Sequence, residues 1–112
     1  LTFLPREKVR GYCINVSNFV PTKICEEYAE HLWRYTHQPC IIDTSRNGGV
    51  YPVSHWCNPP EQRLGPVPQM INSRSVDMYM WVKIPGESDG KYGGLPRAGL
   101  WSKFLTKILQ ED

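Results

Sequence analysis

The chain has 112 residues, 40% hydrophobic and 21% charged, with ten Pro and nine Gly. This is the length of one small domain, too short for a complete (β/α)₈ barrel of roughly 250 residues, and four Trp, six Tyr and three Phe supply a core that a disordered chain lacks. Thirteen basic against eleven acidic residues give a net charge of +2 with no basic stripe, and no apolar run approaches the roughly 18 residues of a membrane span, so neither nucleic acid nor membrane is an expected partner.

The opening residues, LTFLPREKVRGY, carry no leader pattern and no initiator Met, so the chain is expected to be a processed product or an excised piece. The first strand is predicted over 11–16, rich in Val and Ile, and it ends at Ser17-Asn18. Pro21-Thr22 opens a helix predicted over 23–36, with Ile24, Tyr28, Leu32 and Tyr35 at helical spacing. Gln38-Pro39 stops it, and Cys40-Ile41-Ile42 reads as a second buried strand ending at Asp43-Thr44-Ser45. Residues 46–75 hold five Pro and three Gly without clear periodicity; a loop this long is functional or disordered, and its Trp56 favours function. A third strand is predicted over 76–84 (VDMYMWVKI), closed by Pro85-Gly86. A Gly-rich loop then leads to a helix predicted over 97–109, with Leu100, Phe104, Leu105, Ile108 and Leu109 on one face. Strand, helix, strand, strand, helix is an α/β pattern of repeated βα units, whose chemistry sits in loops at the carboxyl ends of the strands.

The polar clusters fall at those ends. Lys83, Glu87 and Asp89 crowd the end of the third strand, where two carboxylates beside a cation can tune one another; a solvated acidic loop is the plainer alternative. Arg46, behind Asp43, could clamp a carboxylate across neighbouring strands or lie free on the surface. Trp56 offers either a platform for a sugar ring or an anchor for its loop, while Trp33, Trp81 and Trp101 read as core. His31, His37 and His55 have no metal-ligand spacing, and no Ser or Cys is paired with a His in a way that signals a nucleophile. Asn15-Val16-Ser17 fits a glycosylation acceptor at a strand end where a glycan would clash. The spacings of Cys13, Cys25, Cys40 and Cys57 match no zinc pattern; their even number fits disulfides in an oxidising compartment, with three pairings open, and buried free thiols are the alternative.

The series GYCINVSNF, CIIDTSRNG, HWCNPP and DMYMWVKIPGESDG resembles glycoside hydrolase family 6, the cellobiohydrolases and endoglucanases acting on β-1,4-glucan. The resemblance implies a distorted parallel β/α barrel, usually of seven strands. This chain would be about three βα units of it, with 1–112 the C-terminal portion of a single catalytic domain. It implies secreted, cofactor-free and metal-free hydrolysis with inversion, in which an Asp protonates the leaving oxygen and water attacks from the opposite face. By resemblance Asp89 is the base, with a lowered pKa between Arg46 and Lys83. Arg46 pairs with active-site carboxylates, Lys83 and Glu87 bind glucose hydroxyls, Trp56 stacks a sugar, and Asn15 and Asn18 border the cleft. The general acid and an assisting Asp belong to segments upstream of Leu1, so the missing N-terminal part is the implied partner. The family often bridges the Cys after the stacking Trp to one just after the E-x-D-G block; Cys57 is present here, but Lys91 stands at the second position. A catalytically inactive glucan-binding homologue is the alternative reading.

Overall fold

The computed structural model describes residues 6–52, 56–60 and 62–90. A short 3-10 turn at Arg6–Lys8 precedes β1 (Tyr12–Ile14), α1 (Thr22–Thr36), β2 (Cys40–Asp43), β3 (Gln69–Met70) and β4 (Val76–Met80). The sheet runs β1-β2-β4-β3. The three predicted strands lie side by side and parallel, whereas β3, unforeseen within the long loop, pairs antiparallel with β4. The helix predicted over 97–109, with Trp101, and the Lys91 position lie outside the described residues.

α1 starts directly after Pro21, whose fixed φ (−55°) suits a helix entrance, and the Pro21 carbonyl accepts the Cys25 N–H. It stops where His37 turns left-handed (φ 56°) and donates its N–H to the Trp33 carbonyl, with Pro39 two residues beyond. The buried stripe is Cys25 and Ala29, with Leu32 partly buried beside them, packed on Cys40, Ile42 and Val76. Ile24, Tyr28 and Tyr35 of the predicted stripe are instead largely exposed. Small residues at i and i+4 let the helix sit close on the sheet, which turns the larger side chains outward.

β2 and β4 fall out of step at one place: Cys40 faces Val76, but Ile41 faces Met78, leaving Asp77 as the extra residue of a bulge. Val76 and Tyr79 therefore share the face that α1 covers, together with Tyr12, Ile14, Cys40 and Ile42. The Tyr79 hydroxyl donates to Glu26 Oε2 of α1 at 2.8 Å. Burial and that neighbouring carboxylate push its phenol up to about 12. The opposite face carries Cys13, Ile41, Met78 and Met80. The bulged residue Asp77 pairs with Arg10 at 3.0 Å.

β4 ends at Met80, short of the predicted Ile84. Trp81 leaves the ladder half-exposed, its indole N–H donating to the Pro66 carbonyl, and Trp33 is half-buried beneath the Arg74 guanidinium. Neither is core. The long loop folds back along the exit of β2, with Gly48 N–H on the Arg63 carbonyl and Gly65 N–H on the Thr44 carbonyl. All four cysteines are free thiols, so the expected disulfide is not formed in this structure. Cys25 and Cys40 serve as small core residues; burial pushes the Cys25 thiol up to about 11 and raises that of Cys40.

Candidate active site

The loops leaving β1, β2 and β4 meet at one edge of the sheet, the carboxyl ends of its parallel strands. Arg46, Lys83, Glu87 and Asp89 gather there. Arg46 Nη1 donates to Asp89 Oδ2 at 2.6 Å, and both side chains are largely withdrawn from solvent. Lys83 Nζ lies 3.2 Å from Asp89 Oδ1 and 3.8 Å from Glu87 Oε1. Arg46 is itself fixed: its Nε donates to the Ser17 carbonyl at 2.9 Å, its Nη2 donates to the same oxygen, and its guanidinium lies 4.3 Å from the Phe19 ring centroid.

Burial pushes the Asp89 carboxyl up. The Arg46 hydrogen bond, the Asn58 backbone N–H, the Arg46 charge and Lys83 outweigh that and hold it below the ordinary aspartate range. Asp89 is thus a permanently ionised, rigid carboxylate at neutral pH. Such a group is a weak proton acceptor and a strong local source of negative potential.

Asp89, Arg46, Ser17, Asn18, Phe19, Trp56 and Cys57 line an open groove of about 540 Å³. Trp56 is 58% exposed. Its ring stacks on Phe19 (centroids 6.1 Å apart, 24° between planes) and meets Tyr51 edge-on at 5.6 Å. A supported aromatic face beside buried charges is a suitable surface for the axial C–H groups of a pyranose ring.

Asn18 thus lines the groove, but Asn15 is placed otherwise. Its Nδ2 donates to the Val20 and Asp43 carbonyls and its Oδ1 accepts the Val20 N–H. The amide is committed to bracing its own loop, at a left-handed backbone position (φ 63°). A glycan on that nitrogen would remove at least one of these bonds.

Three contributors carry no signal in sequence spacing: Asp43, whose carboxylate is enclosed by backbone N–H groups, Asn58, which clasps Asp89, and Phe19, which underlies both Arg46 and Trp56. All three lie inside the motif blocks, so the blocks mark the place without marking the role. Among the described residues no group of three His, Cys, Asp or Glu could hold a metal ion, and no helix is long and apolar enough to cross a membrane.

A parallel sheet with its charges gathered at the carboxyl strand ends is the site of an α/β protein of the βα-repeat kind. The sequence model of glycosyl hydrolases family 6 matches residues 5–109, and the chain belongs to that family. Endoglucanase A of Cellulomonas fimi is 41% identical over 93 residues, covering 81% of this chain and 20% of that protein. The 1,4-β-D-glucan cellobiohydrolase CEL6B of Podospora anserina is 31% identical over 131 residues, covering 94% of this chain and 31% of its own. The endoglucanase Cel6 of Mycobacterium tuberculosis, solved with methyl-cellobiosyl-4-deoxy-4-thio-β-D-cellobioside, superposes with a TM-score of 0.81 at 37% identity, over 92% of this chain and 38% of that one. The chain therefore spans between a fifth and two-fifths of the length of these relatives.

Proposed function

We propose that the chain supplies the base-side and substrate-binding part of the cleft of a secreted β-1,4-glucanase that hydrolyses with inversion. The observation that carries this is Asp89, held ionised by Arg46 and Lys83 on a groove walled by the exposed face of Trp56. In this reading the sheet is the C-terminal portion of a distorted seven-stranded parallel barrel forming one catalytic domain, and the face bearing Cys13, Ile41, Met78 and Met80 turns toward its interior. Parallel sheets are covered on both faces, which supports a further layer there.

Each side chain then has a role. Trp56 stacks a glucose ring, Lys83 and Glu87 hydrogen-bond its hydroxyls, and Asn18 borders the cleft, while Asn15 acts through the loop it braces. A general acid from the N-terminal part of the domain protonates the leaving oxygen as water attacks the opposite face of the sugar. Asp89, a weak acceptor, orients that water, favours the positive charge developing on the ring, and receives the attacking water's proton through a chain of solvent molecules. Arg46 keeps Asp89 ionised and in place.

One observation favours a second reading, glucan binding without turnover. Among the described residues, the carboxyl groups of the cluster (Asp43, Glu87 and Asp89) are each engaged by a cation or by backbone N–H groups, and Asp89 is the one carboxyl lining the groove. ¹H NMR of cellotetraose incubated with a protein that carries this chain together with the N-terminal part of the domain separates the two. Early α-anomer product supports inverting hydrolysis. Broadened oligosaccharide signals without product support the binding reading. Unchanged spectra would overturn both.

A further inference from the structure

Asp43 has no part in the roles just given, yet it is fully buried at the centre of the site. Its carboxylate accepts four backbone N–H groups: Ser45 at 2.9 Å and Val82 at 3.3 Å on Oδ1, Ser17 at 2.8 Å and Lys83 at 3.2 Å on Oδ2. A carboxylate offers about four lone-pair sites, so its accepting capacity is filled. The donors come from all three loops that leave the parallel strands.

The pairing on Oδ2 is specific. Ser17 presents the carbonyl that receives Nε and Nη2 of Arg46, and Lys83 extends the ammonium that meets Asp89. The two cations flanking Asp89 thus start from residues held by a single oxygen atom. From this geometry we infer that Asp43 is the positioning residue of the site: it fixes Ser17 and Lys83 in one frame and through them sets Arg46 and Lys83 about Asp89. The inference rests on the proposed role of Asp89.

An Asn at this place exposes the requirement. Its –NH₂ would face two N–H donors whichever way the amide turned. Turned toward Oδ2 it releases Ser17 and Lys83; turned toward Oδ1 it releases Ser45 and Val82. A side chain that merely stapled three loops would lower the melting temperature when altered and leave the titration of Asp89 where it was.

The test is a ¹³C carboxyl NMR titration of the full chain and its Asp43→Asn variant. Asp43→Asn, folded by far-UV circular dichroism, is expected to move the Asp89 midpoint upward by about one unit, a tenfold change in its protonation ratio. Should the Asn keep the Ser17 and Lys83 bonds by turning its –NH₂ toward the Oδ1 side, as amide exchange of those two residues reads out, Asp43→Ala, which removes both acceptors, takes its place; a folded variant that has lost those bonds and keeps the wild-type midpoint overturns the inference. Should Asp43→Asn fail to fold, amide hydrogen exchange in Asp89→Asn decides: Ser17, Ser45, Val82 and Lys83 are expected to keep wild-type protection, because the frame does not depend on what it positions. Loss of that protection would reverse the order of cause and overturn the inference. Neither measurement uses turnover, so a failure of this inference is told apart from a failure of the functional reading, which the cellotetraose experiment tests.

Discussion

Asn58 and Asp89 hold each other in both directions: the Asn58 N–H donates to Asp89 Oδ2 at 2.9 Å, and the Asp89 N–H donates to Asn58 Oδ1 at 2.9 Å. The Asn58 Nδ2 continues to the Gly90 carbonyl at 3.1 Å, so the loop that presents the carboxylate is clasped to the loop that carries Trp56.

That clasp uses a left-handed backbone, with φ 49° at Asn58. Asn58→Ala removes the side-chain bonds, leaves the Asp89 N–H without its acceptor and keeps a Cβ where it strains the backbone. Asn58→Gly loses the same bonds without the strain. The expected costs are about 2–3 kcal/mol for Ala and about 1 kcal/mol less for Gly, read from urea unfolding midpoints. Equal costs would show that the backbone position carries no strain.

Acid stability follows from Asp89. Its folded carboxyl lies below the unfolded value of about 3.9, so the unfolded chain binds the extra proton as pH drops. The stabilisation is complete above about pH 4 and fades as pH falls through the folded value. Asp89→Asn is expected to remove this part of the acid sensitivity, and Arg46→Ala to shrink it, because the folded value then rises toward the unfolded one; both are measured as melting temperature against pH. If Asp89→Asn followed the wild-type curve, another group would be responsible.

Trp56 and Phe19 separate binding from folding. Trp56→Ala is expected to weaken cellotetraose binding by about 1–3 kcal/mol in calorimetry, by analogy with stacking on other aromatic platforms, and to leave unfolding nearly unchanged because the ring is exposed. Phe19 is buried beneath both Trp56 and Arg46, so Phe19→Ala is expected to cost about 3–5 kcal/mol in stability as well as weakening binding. Loss of stability on Trp56→Ala with binding intact would make Trp56 a loop anchor.

Gly65 tests how the long loop is laid down. A Cβ there would sit 2.0 Å from Asn47 Oδ1 and 2.5 Å from the Thr44 carbonyl. The Asn47 amide is already engaged by the Val20 carbonyl and the Thr22 hydroxyl. Gly65→Ala is expected to cost about 1–3 kcal/mol by differential scanning calorimetry. A neutral effect would mean that the loop shifts freely off the exit of β2.

Regular, apolar segments were the legible part of the sequence. β1, β2, β4 and α1 announce themselves by β-branched runs, helical spacing and Pro stops, and four polar residues at their ends converge as their positions suggested. β3 escaped because two residues carry no periodicity. The helix face was misread because burial went to Cys25 and Ala29, which fit closely, rather than to the larger Ile24 and Tyr28. Asp43, Asn58 and Asn15 work chiefly through backbone atoms of distant loops, and a bond from side chain to backbone leaves no residue pattern to read.

The extra residue in β4 has a reach beyond its own pairing. Successive strand residues alternate in parity, and Asp77 inverts that parity once, so that Val76 and Tyr79 both point at α1 although they are three apart. Deleting Asp77 would therefore do more than shorten a strand. Either Val76 would rotate out of the core, or Tyr79 would turn away from Glu26 and Met80 would exchange sides with it at the point where the strand gives way to the loop bearing Lys83 and Asp89. The strand's irregularity acts as a phase setting: that one inserted residue decides which pleat the charged loop departs from.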